Sequence, residues 1–191
     1  MYYENEVFEN LNFDKELFKD LQFFECDFIN CTFEDCKLKD CSFRDCKFEI
    51  CKITNLDSKD SNARELEFQR CTLIGINWSK LIYHGALDQV ITKLEKNVLK
   101  YNVFMDMKFI KFSFSDNIIL DSTFENCDLH GSSFLGDELT GTQFSNCDLR
   151  RTNFKETFGY RIDIESNKLK GADFSFPEVL SLLDSLEIKI N

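Results

Sequence analysis

The chain has 191 residues, a formal net charge of −11, 21 Phe, 9 Cys, 7 Gly and 1 Pro. That length suits one ordinary domain, and that charge excludes a broad basic face for DNA or an anionic membrane. No apolar run reaches the ~18 residues of a membrane span, and the start MYYENEVFEN lacks the layout of a signal peptide, so a cytoplasmic location is expected.

From Phe8 to Ile53 a bulky residue recurs at every fifth position, and the stretch CDFINCTFEDCKLKDCSFRDCKFEIC adds Cys at 26, 31, 36, 41, 46 and 51. An α-helix advances about 100° per residue, so such a series drifts about 140° per step and lines no face. On a flat strand an odd period sends successive residues to opposite sides. The backbone must instead turn by a fixed angle once per repeat. A quarter turn closes a coil of roughly 20 residues with every bulky residue inside, and stacked coils pair as short parallel strands. Two positions before each centre sits a smaller inward residue, first Cys and later Ser122, Cys127, Ser132, Thr142, Cys147, Thr152 and Ala172. The repeat therefore explains the cysteines as compact buried hydrophobes. Stacking places Cys26 over Cys46, and Cys31 over Cys51 and Cys71, with parallel side chains, which is poor disulfide geometry. With no CxxC pair and two histidines, no metal site is expected.

Further along, the register weakens at TNLDSKDSNARE, residues 54–65, where Ser58 and Ala63 take centre positions before Phe68 resumes in phase. A loop or edge bulging from the coil is expected there. A larger break follows Trp78, because Leu94 lies three repeats plus one residue on. The segment 79–93 reads as a loop or irregular turn. Leu87, Val90, Ile91, Leu94, Val98 and Leu99 also fit one helical face, whereas the regular centres at 94, 99 and 104 favour coil. The second run lasts to Phe154, lapses at Gly159 and ends with Ile164, Leu169 and Phe174.

The repeats thus occupy residues 1–175, and 176–191 form a different element. Ser175-x-x-Glu178 reads as a capping box, with Pro177 in the first turn of a short α-helix. Val179, Leu182, Leu183 and Leu186 follow at helical spacing, and Ile188 and Ile190 alternate as a short strand. A solenoid needs a cap on its last coil. This element is richer in leucine than capping requires, so these six residues are the expected homodimer interface.

No GxSxG, HExxH or P-loop is present, and His84 and His130 have no nucleophile beside them, so neither an enzyme nor a cofactor is expected. Surface charge is the remaining clue. Residues twenty apart share a column: Asp20, Asp40 and Asp60 stack near Lys19, Lys39 and Lys59, and Glu25, Asp45 and Glu65 near Arg44 and Arg64. In the later run one side carries Asp106, Glu125, Asp163 and Glu165 with no Lys or Arg in its outward positions. The adjacent face carries Lys108, Lys111, Arg150, Arg151, Lys168 and Lys170.

With CDL at 127–129 and 147–149 and ADF at 172–174, the chain resembles the pentapeptide-repeat family, whose motif is A(D/N)LXX, over about residues 6 to 175. The resemblance implies an all-β fold, a right-handed quadrilateral parallel β-helix. In length, acidity, its two register breaks and its C-terminal element the chain is similar to the quinolone-resistance branch. That similarity implies a DNA-mimicking dimer that binds a type II topoisomerase, gyrase or topoisomerase IV, without contacting nucleic acid itself. It departs from that branch in its short, in-phase first break, which puts drug protection in doubt more than topoisomerase binding. The alternative is a structural scaffold for another protein, with the outward Phe24, Ile29, Ile50, Ile74, Ile110 and Leu135 as contacts.

Overall fold

The structure is a computed structural model describing residues 1–82 and 89–186, with Ser185 and Leu186 described by backbone alone. Strands Tyr2–Glu4, Val7–Glu9, Asn12–Asp14 and Leu17–Lys19 make the four sides of the first coil. Each pairs in parallel with the strand twenty residues on, Tyr3 against Phe23, Phe8 against Phe28, Phe13 against Phe33 and Phe18 against Leu38. Repetition of this step builds a parallel β-solenoid with four faces, named here first to fourth in that order. The centre of each strand points inward, and from Phe104 to Phe154 every centre is 1 % exposed or less.

Rings of successive coils stack on one another. Phe104 lies 4.6 Å from Phe124, Phe114 4.5 Å from Phe134, and Phe134 5.2 Å from Phe154, with near-parallel planes. Neighbouring columns meet edge to face, as Phe124 and Phe134 do at 85°. Both arrangements suit the ring quadrupole.

The small inward slots carry a second ladder. Cys127 and Cys147 direct their thiols at the carbonyls of Phe104 and Phe124 at 3.4 Å, and Thr152 gives its hydroxyl to the carbonyl of Leu129 at 2.8 Å. Such slot residues satisfy a carbonyl of the previous coil while filling little volume, whereas Ser122 turns to Leu120 of its own coil and the Ser132 hydroxyl has no partner. All nine cysteines are buried free thiols, and burial pushes the Cys46 thiol up to about 12.

Corners occupy the second position after each centre. There the backbone adopts positive φ, mostly near +50 to +60°, at 24 non-glycine residues among those described, 14 of them Asn or Asp. Those two residue types tolerate the left-handed region best after glycine, which is how a chain with few glycines turns so many corners.

Four expectations need correction. Residues 54–65 form no bulge: Asp57–Lys59 and Asn62–Arg64 are ordinary strands, paired with those of the coil before. Ser58 and Ala63 point inward at 2 % and 3 % exposure, so small residues narrow the packing without moving the backbone. Ala63 helps line an apolar cavity of about 210 Å³ together with residues of the first four coils, from Tyr3 to Leu81.

The second break is a six-residue insertion. Phe68 stacks on Leu94, twenty-six residues later, with a bulge where Leu66 meets Ile91. A 3₁₀ turn, Trp78–Leu81, leads into it. Ile91–Glu95 and Val98–Lys100 are strands, which removes the helical reading for that part; His84 and Leu87 lie outside the described residues.

After Gly159 the inward residue is Ile162, which pairs with Phe144, and Ile164 is only half-buried. That coil is two residues short, and Tyr160, 3 % exposed, fills its corner. Gly159 makes this possible: its φ is +76°, and a Cβ there would lie 2.8 Å from Thr140 Cα. Gly159→Ala is accordingly expected to cost about 1–3 kcal/mol, read as a lower urea midpoint with unchanged slope.

Finally, the C-terminal element is a 3₁₀ helix, Glu178–Leu186, and not an α-helix. At three residues per turn, Val179 and Leu182 share one edge, and Leu182 packs on the core. Ser175 does not close a capping box, because its Oγ accepts from the Glu156 N–H at 3.1 Å, tying the helix start to the coil below.

Candidate protein-binding faces

Outward positions fall into columns at coil spacing. The corner after the fourth face carries Asp20, Asp40, Asp60 and, beyond Lys80, Asp106; each of the four carboxylates stands on a residue with φ of 53–56°. The next corner carries Glu25, Asp45 and Glu65. Backbone pairing fixes the alignment, since the N–H of Asp20 donates to Lys39 O and that of Asp45 to Arg64 O, both at 3.0 Å. Bases from the adjoining position approach these carboxylates: Lys19–Asp20 at 3.7 Å, Arg44–Asp45 at 3.4 Å and Arg64–Glu65 at 3.1 Å. Such exposed pairs are worth about 1 kcal/mol or less, so they separate readily when a partner offers competing charge.

Of the four residues expected on the later acidic side, Asp106, Asp163 and Glu165 are exposed and Glu125 is half-buried. Asp106 and Glu125 are joined through the Asp106 N–H and Glu125 carbonyl at 3.0 Å. Asp163 follows Ile162 on the same face, two coils beyond Glu125. Its carboxylate accepts the Glu165 N–H at 2.9 Å, which holds its pKa below the usual carboxylate range. Among the described residues none of the four has a Lys or Arg within ion-pair distance. The face is not free of base, however. Arg161 pairs with Gln143 and is exposed there. Shortening after Gly159 moved it onto this face, which the five-residue count did not register.

The six expected bases do gather on the adjoining first face, all exposed, around the column Lys108, Asp128, Asp148 and Lys168. Arg150 grips Asp148 through two bonds, at 2.7 and 2.5 Å, which lowers the Asp148 pKa.

At the C-terminal end, Val179, Leu182 and Leu183 are half-buried. The side chain of Leu186, and Ile188 and Ile190, lie outside the described residues. The outward apolar residues Phe24, Ile29, Ile50, Ile74, Ile110 and Leu135 are spread over three faces and make no single patch; the ring of Phe24 is covered by Arg44, 5.3 Å from its centroid. A different apolar stripe was missed. Val98, Ile118 and Phe158 follow one another on the third face, interrupted by Glu138, at 36, 40 and 44 % exposure. These positions lie wholly after the insertion at the twenty-residue coil spacing, so the stripe was readable from the repeat count. Among the described residues no group of three or more His, Cys, Asp or Glu is arranged to hold a metal ion.

This architecture defines a pentapeptide-repeat solenoid, and sequence comparison agrees. A pentapeptide repeat region model matches residues 21–87 and a model of eight pentapeptide repeats matches 120–156, together more than half of the chain. The chain belongs to the pentapeptide-repeat proteins. Among solved structures it is similar to full-length QnrB1, a plasmid-mediated fluoroquinolone resistance protein, at 19 % identity and TM-score 0.52, covering 98 % of this chain and 100 % of that one. A trypsin-treated QnrB1 gives 20 % identity and the same TM-score of 0.52, with 100 % of each chain covered. HetL, a pentapeptide repeat protein of the cyanobacterium Nostoc, is 9 % identical at TM-score 0.47, covering 91 % of this chain and 84 % of that one. No curated protein matches.

Proposed function

We propose that the protein binds the DNA-binding surface of a type II topoisomerase, gyrase or topoisomerase IV, as a cytoplasmic mimic of duplex charge. One observation carries this reading: carboxylates repeat along the edge of a rigid acidic rod at Asp20, Asp40, Asp60 and Asp106. The full-length fold likeness to a fluoroquinolone resistance protein supports it. Coil stacking spaces Asp20, Asp40 and Asp60 by about 4.8 Å, with Asp106 two coils further on beyond Lys80, so the edge presents repeated negative charge to a surface built for phosphates. With 54–65 built as regular coil, no loop projects at the first expected break. Inhibition without drug displacement is therefore the expected mode.

The test titrates the full chain into gyrase supercoiling and cleavage reactions at fixed salt, with and without a fluoroquinolone. Inhibition is expected, and Asp40→Lys combined with Asp60→Lys and Asp106→Lys should weaken it at least tenfold. Lysine is tolerated at this corner conformation, as Lys15, Lys96 and Lys111 show at φ of 55–56°. A folded wild-type protein without effect on either enzyme sinks the proposal. The second reading then gains, a scaffold for another protein through Val98, Ile118 and Phe158 on the third face.

A further inference from the structure

One coil of the solenoid is two residues short. After Gly159 the strand Arg161–Ile162 sets Arg161 opposite Gln143 and Ile162 opposite Phe144. The Glu178–Leu186 helix packs against that strand. Between them lies a cavity of about 500 Å³, within the range of small-molecule sites. Phe144 and Ile162 give it an apolar floor, and the other side chains lining it carry polar groups.

Tyr160 is buried in this lining. Its ring lies 5.7 Å from those of both Phe154 and Phe174, and the residue is 3 % exposed. Its hydroxyl has no hydrogen-bond partner among the described residues. Ser181 stands close to it but gives its own hydrogen to the Glu178 carbonyl at 2.8 Å. Burial pushes the Tyr160 pKa up to about 12, so the hydroxyl stays a donor. A buried donor without an acceptor is costly, and a ligand that accepts from it removes that cost.

The charges beside it are mixed. Arg161 makes no ion pair among the described residues. Two-residue spacing along a strand lets Arg150 close on Asp148, whereas Asp163 is engaged by the Glu165 N–H at 2.9 Å. Arg161 and Asp163 are therefore an open pair of opposite charges, rooted about 6.6 Å apart on one strand. Ser181 and Asp184, three residues apart, share one edge of the 3₁₀ helix and bring a second carboxylate to the lining. Two carboxylates to one guanidinium, with Glu178 acting on Tyr160 from nearby, make the site net negative. A simple anion is repelled there. A simple cation leaves Arg161 and the Tyr160 hydroxyl unmet.

We infer that the cavity binds a small zwitterion of the free α-amino-acid class, its carboxylate held by Arg161 and the Tyr160 hydroxyl and its ammonium by Asp163 and Asp184. A guanidinium takes a carboxylate through paired hydrogen bonds, and the floor of Phe144 and Ile162 receives the apolar part of the ligand. The site goes beyond the topoisomerase reading and uses none of Asp20, Asp40, Asp60 and Asp106.

Calorimetric titration of the full chain with each standard L-amino acid tests it, with sodium acetate and methylammonium chloride as the two half-ligands. The expected result is a Kd below about 1 mM for at least one amino acid, and no measurable heat from either half-ligand. Arg161→Gln, Tyr160→Phe and Asp184→Asn should each weaken that binding about tenfold or more. Tyr160→Phe keeps the ring and removes a hydroxyl that no protein group meets. The melting temperature of the free protein should therefore hold or rise while affinity falls, which a purely structural role would not produce. Arg150→Gln, on the adjoining first face, should bind as the wild type does. Absence of binding by every amino acid overturns the inference, as does binding that the three variants leave unchanged or that acetate or methylammonium alone reproduces.

Discussion

Phe124→Ala is expected to destabilise the rod by about 3–5 kcal/mol, a large share of the margin of a single domain. Phe124 is fully enclosed and stacks between Phe104 at 4.6 Å and Phe144 at 5.0 Å. It also meets Phe114 and Phe134 edge to face, at 5.6 and 5.8 Å. The strand Thr123–Glu125 is paired on both sides, so the backbone has little freedom to close the void. A solenoid coil touches only its neighbours, and one weakened coil therefore weakens two interfaces. Chemical denaturation followed by circular dichroism measures the loss. Phe176→Ala provides the contrast, because Phe176 is 78 % exposed and should shift the midpoint little. Equal losses in the two variants would contradict the packing described.

Asp137→Asn is expected to stabilise the protein at pH 8 and to change little at pH 4. Asp137 is fully buried in a slot whose occupants elsewhere give a hydrogen to a carbonyl of the previous coil. Its Oδ1 accepts the Asn117 N–H at 3.0 Å, and its Oδ2 has no partner. By register the carbonyl facing Asp137 is that of Phe114, which also accepts from the Asn117 amide. A carboxyl serves there only while protonated, and an amide serves at any pH, as Asn117 does toward Leu94 at 3.2 Å. Burial is the main cause that pushes the Asp137 carboxyl up to about 8, with the nearby Asp116 charge adding to it. The sign follows from linkage. Between the unfolded value near 3.9 and the folded value, the native state holds a proton that the unfolded chain releases, so this group's contribution declines as pH rises through that window and levels off above it. The full difference is at most about 6 kcal/mol. Melting temperatures of both proteins from pH 4 to 9 give the comparison, and subtracting one curve from the other removes the opposing effect of Asp148 and Asp163, whose lowered values lose stability toward acid. Parallel curves would mean that Asp137 is not held protonated.

The inward and outward sides of most of the chain were legible in residue spacing alone. Phe33, Cys51 and Leu149 each point where a five-residue count sends them. Asp137 shows the limit of the count: its position made it inward, but its residue type argued for solvent, and only the enclosing coils show which prevailed. Arg161 shows another limit. A side that loses two residues shifts the strand that follows it, although the register is regained by Lys168, and nothing in the local sequence announces the loss except a glycine lapse at 159.

The sequence by itself determined the period, the core, the free thiols and the acidic character, because each depends on residues within one repeat. Tertiary structure alone decided which columns line up across the insertion and the shortened coil, and therefore which charges share a face. Those properties depend on stacking between segments twenty or more residues apart, where a single added or missing residue turns the chain relative to everything below it.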